Sequence, residues 1–181
     1  IVMLCSGAVI SNMTDRHRQN DRWDRIRYTY QYRLTDSDEI YLDSLMNELK
    51  WNPRFLFDYG KALRQNGKYD KSNRVLEQGE KISSDPMFLN LIGRNHQDMG
   101  NPVMAGHYFR RSVNRLPGRL YPYYLLARLY ADPASFDHAR FREIYDITIS
   151  MKPKIGSPAI TRMKQELQHL NDSINNTVQT S

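Results

Sequence analysis

The sequence predicts an all-α protein, a superhelical stack of helix hairpins closed by a C-terminal capping helix. The first observation is an internal repeat, in which Gly60, Gly93 and Ala127 hold equivalent positions at nearly equal intervals along the chain. A fixed period of about 34 residues is typical of stacked helix pairs. The second observation is proline near each repeat boundary, where a residue without a backbone N–H ends one helix or opens the next. These prolines are Pro53, Pro86 and Pro117.

The repeated unit resembles the tetratricopeptide repeat. That family needs a small residue where the two helices of a hairpin approach, and Gly60, Gly93 and Ala127 hold this position. The turn between the helices favours a residue free to adopt positive φ, which Gly67 and Gly100 provide. The third repeat has Ala134 there and is the weakest match.

Moving along the sequence by one repeat period also predicts which residues pack in each repeat. Leu76 falls on Phe109, and the apolar residues just before the small positions are predicted to be buried. In the third repeat Tyr123 takes the place of Leu56 and Leu89 and is predicted to lie in the core. Phe136 falls on Tyr69, and Ala139 falls on Ser72.

Length and composition limit the function classes. The 181 residues suit one domain with a sizeable core. With 26 basic and 20 acidic residues the net charge is +6, which favours an acidic partner or an anionic surface without requiring one. We expect no nucleic-acid partner. Cys5 is the single cysteine, so an intrachain disulfide or a thiolate metal cage is excluded.

Residues 1–19 are predicted to be an apolar stub followed by a basic linker. The opening IVMLCSGAVI is shorter than the ~20 residues that span a bilayer. It fits a core element, a signal-peptide remnant or the end of a transmembrane helix, and a first residue other than Met favours the last. The arginines that follow favour a cytoplasmic side, although they also fit a solvated helix face. They are Arg16, Arg18, Arg22, Arg25, Arg27 and Arg33.

Residues 20–155 are predicted to form the repeats, the first of them degenerate. The acidic run from Thr35 to Glu39 lacks the glycine of a calcium loop and instead predicts a helix start, with Asp36 and Glu39 as a capping box. The helical period of this leading segment predicts several buried positions. These are Trp23, Ile26, Tyr30, Leu42, Leu45, Met46 and Leu49.

The C-terminal part is predicted to be a capping helix at 156–172 and a frayed polar tail at 173–181. The run MKPKIGSP is a turn or short linker because it holds two prolines and Gly156. Ser157 has the features of an N-cap, with Pro158 at the first helical position.

The sequence contains no catalytic constellation. Its five histidines lack the helical zinc spacing, and phosphate-binding glycine loops, nucleophile elbows and paired cysteines are absent. We therefore expect no catalytic residues, no metal and no cofactor. His96 is predicted to be a packing histidine, whereas Tyr121 and Tyr124 could contribute to recognition or to packing.

The repeat frame predicts a basic groove. In tetratricopeptide stacks the residue after the small position faces the concave wall, and here that residue is Lys61, Arg94 and Arg128 in turn. Such cations bind carboxylate or phosphate, although a solvated helix face is the alternative. Further residues predicted near this groove are Arg54, Arg64, Asn90, Gln97 and Tyr124. A second cluster, Arg110, Arg111, Arg115 and Arg119, fits a solvated face or contact with anionic lipid headgroups.

Several longer segments together resemble the C-terminal tetratricopeptide tail of bacterial O-antigen ligase and polymerase-like membrane proteins. They are FLFDYGKAL, GKYDKSNRVLEQ, LNLIGRNHQDMGNPVMAGHYFRRSVNRLPGRLYPYYLLARLY and MKPKIGSPAITRMKQE. The resemblance implies an extramembrane accessory domain at the bacterial inner membrane, part of a glycan-transferring protein whose catalytic residues lie upstream. It also implies a protein, an acidic glycan or peptide, or an anionic membrane surface as partner.

Two function classes follow. The first is a noncatalytic binding domain of a membrane glycan ligase or polymerase-like protein. The alternative is a soluble tetratricopeptide adaptor that recognises acidic peptide ends. Apolar spans of ~20 residues upstream of Ile1 would favour the first class.

Overall fold

A computed structural model describes residues 18, 21–24, 27, 33–152 and 156–179. Every regular element in these ranges is helical, so the predicted all-α class is confirmed. The predicted apolar stub lies outside the described residues, as do Arg16 and Arg25 of the arginines that follow it and residues 153–155 of the predicted linker.

The chain forms two compact units, Ile1–Ser84 and Asp85–Ser181, where the sequence predicted one domain. The first unit contains helices α1 to α3 and the second contains α4 to α8. In order they are α1 (Asp36–Leu49), α2 (Pro53–Gln65), α3 (Tyr69–Ile82), α4 (Met87–Asp98), α5 (Pro102–Arg115), α6 (Leu120–Ala131), α7 (His138–Ser150) and α8 (Pro158–Gln179). In the described part of the chain, no helix combines the length and apolar composition needed to cross a membrane.

The α2–α3 hairpin of the first unit is closed by a glycine turn and a close helix contact. Gly67 has φ 74°, as predicted for this turn. A Cβ placed on Gly60 would lie 2.5 Å from Leu76 Cγ, so only glycine lets the helices approach this closely. The Ser72 hydroxyl donates a hydrogen bond of 2.7 Å to the Gly60 carbonyl across the same contact.

Helix α1 begins where the sequence predicted a helix start, but with a different capping box. Thr35 is the N-cap, and it exchanges hydrogen bonds with Asp38. Asp36 and Glu39 are therefore not the capping pair, because the box is set one residue earlier. Of the predicted leading core, Trp23, Leu42, Leu45 and Leu49 are buried and Met46 is partly buried, whereas Ile26 and Tyr30 lie outside the described residues.

The α4–α5 hairpin repeats this construction in the second unit. Gly100 has φ 74° in the turn. A Cβ on Gly93 would lie 2.4 Å from Phe109 Cε1, which is the contact that the repeat shift predicts from Gly60 and Leu76. The internal repeat is therefore visible in the packing of two hairpins, one in each unit.

The α6–α7 hairpin departs from the predicted alignment. Ala127 is buried at the small position, but residues 132–137 form a longer connection that includes a short 3-10 turn at Pro133–Ser135. This displaces α7 along the sequence, so Phe136 is 49% exposed while Phe141 is fully buried. The assignments of Phe136 and Ala139 were wrong for this reason.

Helix α8 extends to Gln179, so most of the predicted polar tail is helical. Ser157 Oγ accepts a hydrogen bond from the Ile160 amide at 3.3 Å, in agreement with the predicted N-cap. Leu167 and Asn171 are buried, and Arg142 donates to the Asn171 side chain at 2.8 Å. Lys164 donates to the carbonyls of Ile149 and Met151 at the C-terminal end of α7, where the negative end of the helix dipole favours a cation.

Candidate anion-binding cavity

Within the second unit, α4, α6 and α8 line a cavity of about 670 Å³ that is open to solvent. Its wall combines arginines and carboxylates with tyrosine, methionine and leucine side chains. The lining residues are Met87, Arg94, Gln97, Asp98, Tyr121, Tyr124, Leu125, Arg128, Ala159, Arg162, Met163 and Glu166.

Two arginines face the cavity without a carboxylate of their own. Arg94 on α4 is half-buried, and its Nη1 lies 3.5 Å from the Tyr121 hydroxyl oxygen. Arg162 on α8 is exposed. Among the described residues, neither guanidinium forms an ion pair with an aspartate or glutamate. Both are therefore available to an anion that enters from solvent.

The third arginine, Arg128, is already engaged. Its Nε lies 3.3 Å from Glu166 Oε1, and its Nη1 donates to the Tyr124 hydroxyl at 3.3 Å. The Tyr124 hydroxyl in turn donates to Glu166 Oε2 at 2.6 Å. Arg128, Tyr124 and Glu166 thus form a closed polar triad that joins α6 to α8.

The environment of this triad shifts the pKa values of Tyr124 and Arg128. Burial raises the pKa of Tyr124, and its hydrogen bond to Glu166 raises it further, so the phenol stays a donor at neutral pH. Burial acts to lower the pKa of Arg128, but the hydrogen bond to Tyr124 and the charge of Glu166 raise it on balance. Arg128 therefore remains a cation whose charge is largely balanced by Glu166.

The remaining wall is apolar and aromatic. Met87, Leu125 and Met163 line it. The Tyr121 and Tyr124 rings stack with centroids 6.2 Å apart. A cavity with an apolar wall and a few convergent polar groups is the usual form of a small-molecule or side-chain binding site.

The structure brings together half of the predicted groove residues. Arg94, Gln97, Tyr124 and Arg128 all line the cavity. Asn90 does not, because it is 1% exposed and belongs to the core.

The other predicted groove residues lie in the first unit. Lys61 is exposed, Arg54 lies over the Trp23 ring at 6.0 Å and Arg64 over the Tyr69 ring at 5.8 Å. Of the predicted three-cation series, only Arg94 and Arg128 therefore lie in one unit.

Sequence reasoning missed the contribution of α8. Arg162 and Glu166 are four residues apart and therefore share a face of this helix. That face lies beside the apolar stripe that predicted the helix. The four-residue spacing of Arg162 and Glu166 was the signal in the sequence that could have identified them as a pair. It does not reveal which neighbouring helix the face meets.

Three other residues singled out in the sequence have packing or hydrogen-bonding roles. Tyr123 was predicted to lie in the core, but it is only partly buried. The tyrosine of α6 that is buried beside this cavity is its neighbour Tyr124. His96 stacks on Tyr108 with ring centroids 5.4 Å apart, as expected for a packing histidine. On the outer helix α5, Arg110 donates to the Tyr130 hydroxyl at 2.7 Å.

The described ranges contain no group of three or more His, Cys, Asp and Glu side chains placed to hold a metal ion. No protein-family model matches the chain, and no curated protein matches it either.

Proposed function

We propose that the chain is a noncatalytic binding module whose second unit holds an anionic group of a partner protein, peptide or acidic glycan. The observation that carries the proposal is the pair of arginines, Arg94 and Arg162, that face one cavity without a carboxylate partner among the described residues. Guanidinium groups bind planar anions through two parallel hydrogen bonds. The volume of about 670 Å³ suits a small ligand or a peptide end.

The repeat family is part of the proposal. We assign the hairpins to the tetratricopeptide type because the Gly60–Leu76 and Gly93–Phe109 contacts are equivalent and lie one repeat period apart. The glycine turns at Gly67 and Gly100 recur with the same φ. These features support the assignment, and the longer connection at 132–137 is a departure from it.

The cellular role rests on the resemblance of the longer segments. On that basis the module is an extramembrane accessory domain of an O-antigen ligase or polymerase-like protein at the bacterial inner membrane, with an acidic glycan or an anionic membrane surface as further partner. The alternative is a soluble adaptor for acidic peptide ends, which the size and the two available arginines of the cavity also suit. Apolar spans in the gene upstream of Ile1, if sequencing finds them, would favour the first role.

The binding proposal is tested with paired probes that differ in one charge. Acetyl-Gly-Phe with a free C-terminal carboxylate is compared with its C-terminal amide, and glucuronate with glucose, by NMR chemical-shift titration of the labelled protein. We expect the free acids to shift resonances of the cavity residues and the neutral partners not to. Binding should weaken with added salt, because exposed charges are screened.

Arg94→Ala should weaken this binding by ~1.5–3 kcal/mol, which is the contribution of a hydrogen bond to a charged group. Arg119→Ala is the control, because Arg119 is exposed, lies in the same unit and makes no capping bond with its side chain. Equal losses for the two variants, or no binding of either acid by the parent, would reject the cavity as the site.

A further inference from the structure

The carboxylate of Glu166 in the cavity wall is held on both oxygens by residues of α6. Oε2 accepts from the Tyr124 hydroxyl at 2.6 Å, and Oε1 lies 3.3 Å from Arg128 Nε. The neighbouring residue Leu167 is fully buried, so the backbone that carries Glu166 is fixed in the core of the unit. The Glu166 carboxylate is therefore held in a defined place in the wall, at the contact between α6 and α8.

This charge changes the balance of the cavity. Its lining contains three arginines, Arg94, Arg128 and Arg162, and two carboxylates, Asp98 and Glu166. Counted over these five lining side chains, the formal charge is +1. A ligand with one negative charge neutralises it, whereas a phosphate monoester carries about −1.5 to −2 at pH 7 and leaves an excess negative charge.

We propose that Glu166 makes the cavity selective for singly charged carboxylates over phosphate dianions. The inference rests on the proposed function, because it assigns the ligand class of the same cavity. Two features give this selectivity. Glu166 engages Arg128 Nε and the Tyr124 hydroxyl, so Arg94 and Arg162 are the two arginines of the wall that have no carboxylate partner among the described residues. Its own charge also repels a second negative charge on the ligand.

The substitution Glu166→Gln isolates this charge. The amide keeps an oxygen that accepts from Tyr124, which retains this contact between α6 and α8, whereas its nitrogen is a donor and cannot pair with Arg128 Nε. The formal balance of the cavity rises by one, and Arg128 becomes available to the ligand. Glu143→Gln is the matched control, since Glu143 is an exposed carboxylate of the same unit that does not line this cavity.

The probes are benzoate and phenyl phosphate, which share a ring and differ in the anion. Titrations by NMR at about pH 8, where the phosphate ester is a dianion, give a dissociation constant for each probe with the parent and both variants. We expect the parent to bind benzoate more tightly. Glu166→Gln should raise the affinity for phenyl phosphate on the order of tenfold, and that for benzoate by less, because the dianion gains more from removal of a negative charge. Glu143→Gln should leave both affinities at the parental values.

The outcomes separate the two proposals. A parent that binds neither probe overturns the proposed function and this inference with it. A parent that binds benzoate, but whose preference is the same in Glu166→Gln, overturns only the role of Glu166. An equal gain in Glu143→Gln would show that the effect follows overall charge, and it would overturn that role as well. Thermal melting of each variant confirms that the probes meet a folded protein.

Discussion

Glu39 joins the first and third helices of the first unit through two lysines. Its carboxylate accepts hydrogen bonds from Lys68 and, at 2.6 Å, from Lys71. Lys71 also contacts Asp43 at 2.6 Å, and Asp43 accepts a 2.6 Å hydrogen bond from the buried Tyr59 of α2. The hydrogen bonds from the two lysines hold the pKa of Glu39 below its ordinary value of 4.5.

This network predicts a pH window for the stability of the first unit. A lowered folded-state pKa means that Glu39 contributes stability above about pH 4.5 and that this contribution is lost as the pH falls through the folded-state pKa. For Lys68, the hydrogen bond to Glu39 raises the pKa, and the balance for Lys71 is also upward although burial opposes it. The two lysines therefore contribute stability at pH values below their ordinary pKa of 10.5, and this contribution is lost as the pH rises through the raised folded-state pKa values.

Glu39→Gln should therefore be less stable than the parent near pH 7 and approach it in stability toward pH 3. Tryptophan fluorescence during urea unfolding measures this locally, because both tryptophans, Trp23 and Trp51, lie in the first unit. Asp70→Asn is the control, since Asp70 is an exposed acid of α3. A stability difference between Glu39→Gln and the parent that stays constant from pH 7 to pH 3 would show that ionisation of Glu39 is not its source.

Side-chain reach explains which cavity residues the sequence could predict. Arg94 and Asn90 lie one turn apart on α4, and the sequence assigned both to the groove. The long stem of arginine carries its charged group past the surrounding side chains, whereas the short amide of Asn90 is covered and its Nδ2 lies 3.6 Å from Met87 Sδ. The helix face alone therefore predicted Arg94 correctly and Asn90 incorrectly.

At the scale of the elements, the two glycine hairpins were predictable because their determinants are local. The close contact, the turn and the proline that opens the first helix or caps its start all lie within one repeat. In the third hairpin the sequence predicted the packing position of α6 correctly, but not the positions of α7. The 3-10 turn at Pro133–Ser135 lengthens its connection, and a constant shift from one repeat to the next cannot account for added residues.

The contact of Gly93 with Phe109 gives a prediction for the second unit. Gly93→Leu places atoms where the buried Phe109 ring already lies, with the Cβ alone 2.4 Å from the ring. Overpacking of this kind typically costs ~1–3 kcal/mol. For a unit of this size, the melting temperature should fall by about 4 °C or more for each kcal/mol lost.

Gly118→Ala is the matched control for this substitution. A Cβ at Gly118 meets no atom within 4 Å, and the residue does not have positive φ. We expect its melting temperature, followed by helical circular dichroism, to equal or slightly exceed that of the parent. A Gly93→Leu variant that melts with the parent would contradict the repeat frame and the cavity residues inferred from it.

At the scale of the whole molecule, the candidate site belongs to one unit. Every lining residue falls between Met87 and Glu166, within Asp85–Ser181. This unit also has its own apolar core, in which Phe109, Leu126, Phe141 and Leu167 are buried together. The sequence predicted a single groove along all repeats, because a repeat pattern records equivalent positions but not where the chain divides into compact units.

A fragment of residues 85–181 should therefore fold and bind without the first unit. We expect strong helical circular dichroism, a cooperative thermal transition, and an affinity for acetyl-Gly-Phe within about twofold of the full chain, the usual limit for independent sites. The same fragment with Arg94→Ala is the control and should lose affinity as the full-length variant does. A fragment that is helical but does not bind would show that residues 1–84 contribute to the site. A fragment without a cooperative transition would contradict the division itself, because the buried core of the second unit would then be insufficient to offset the conformational entropy of its chain.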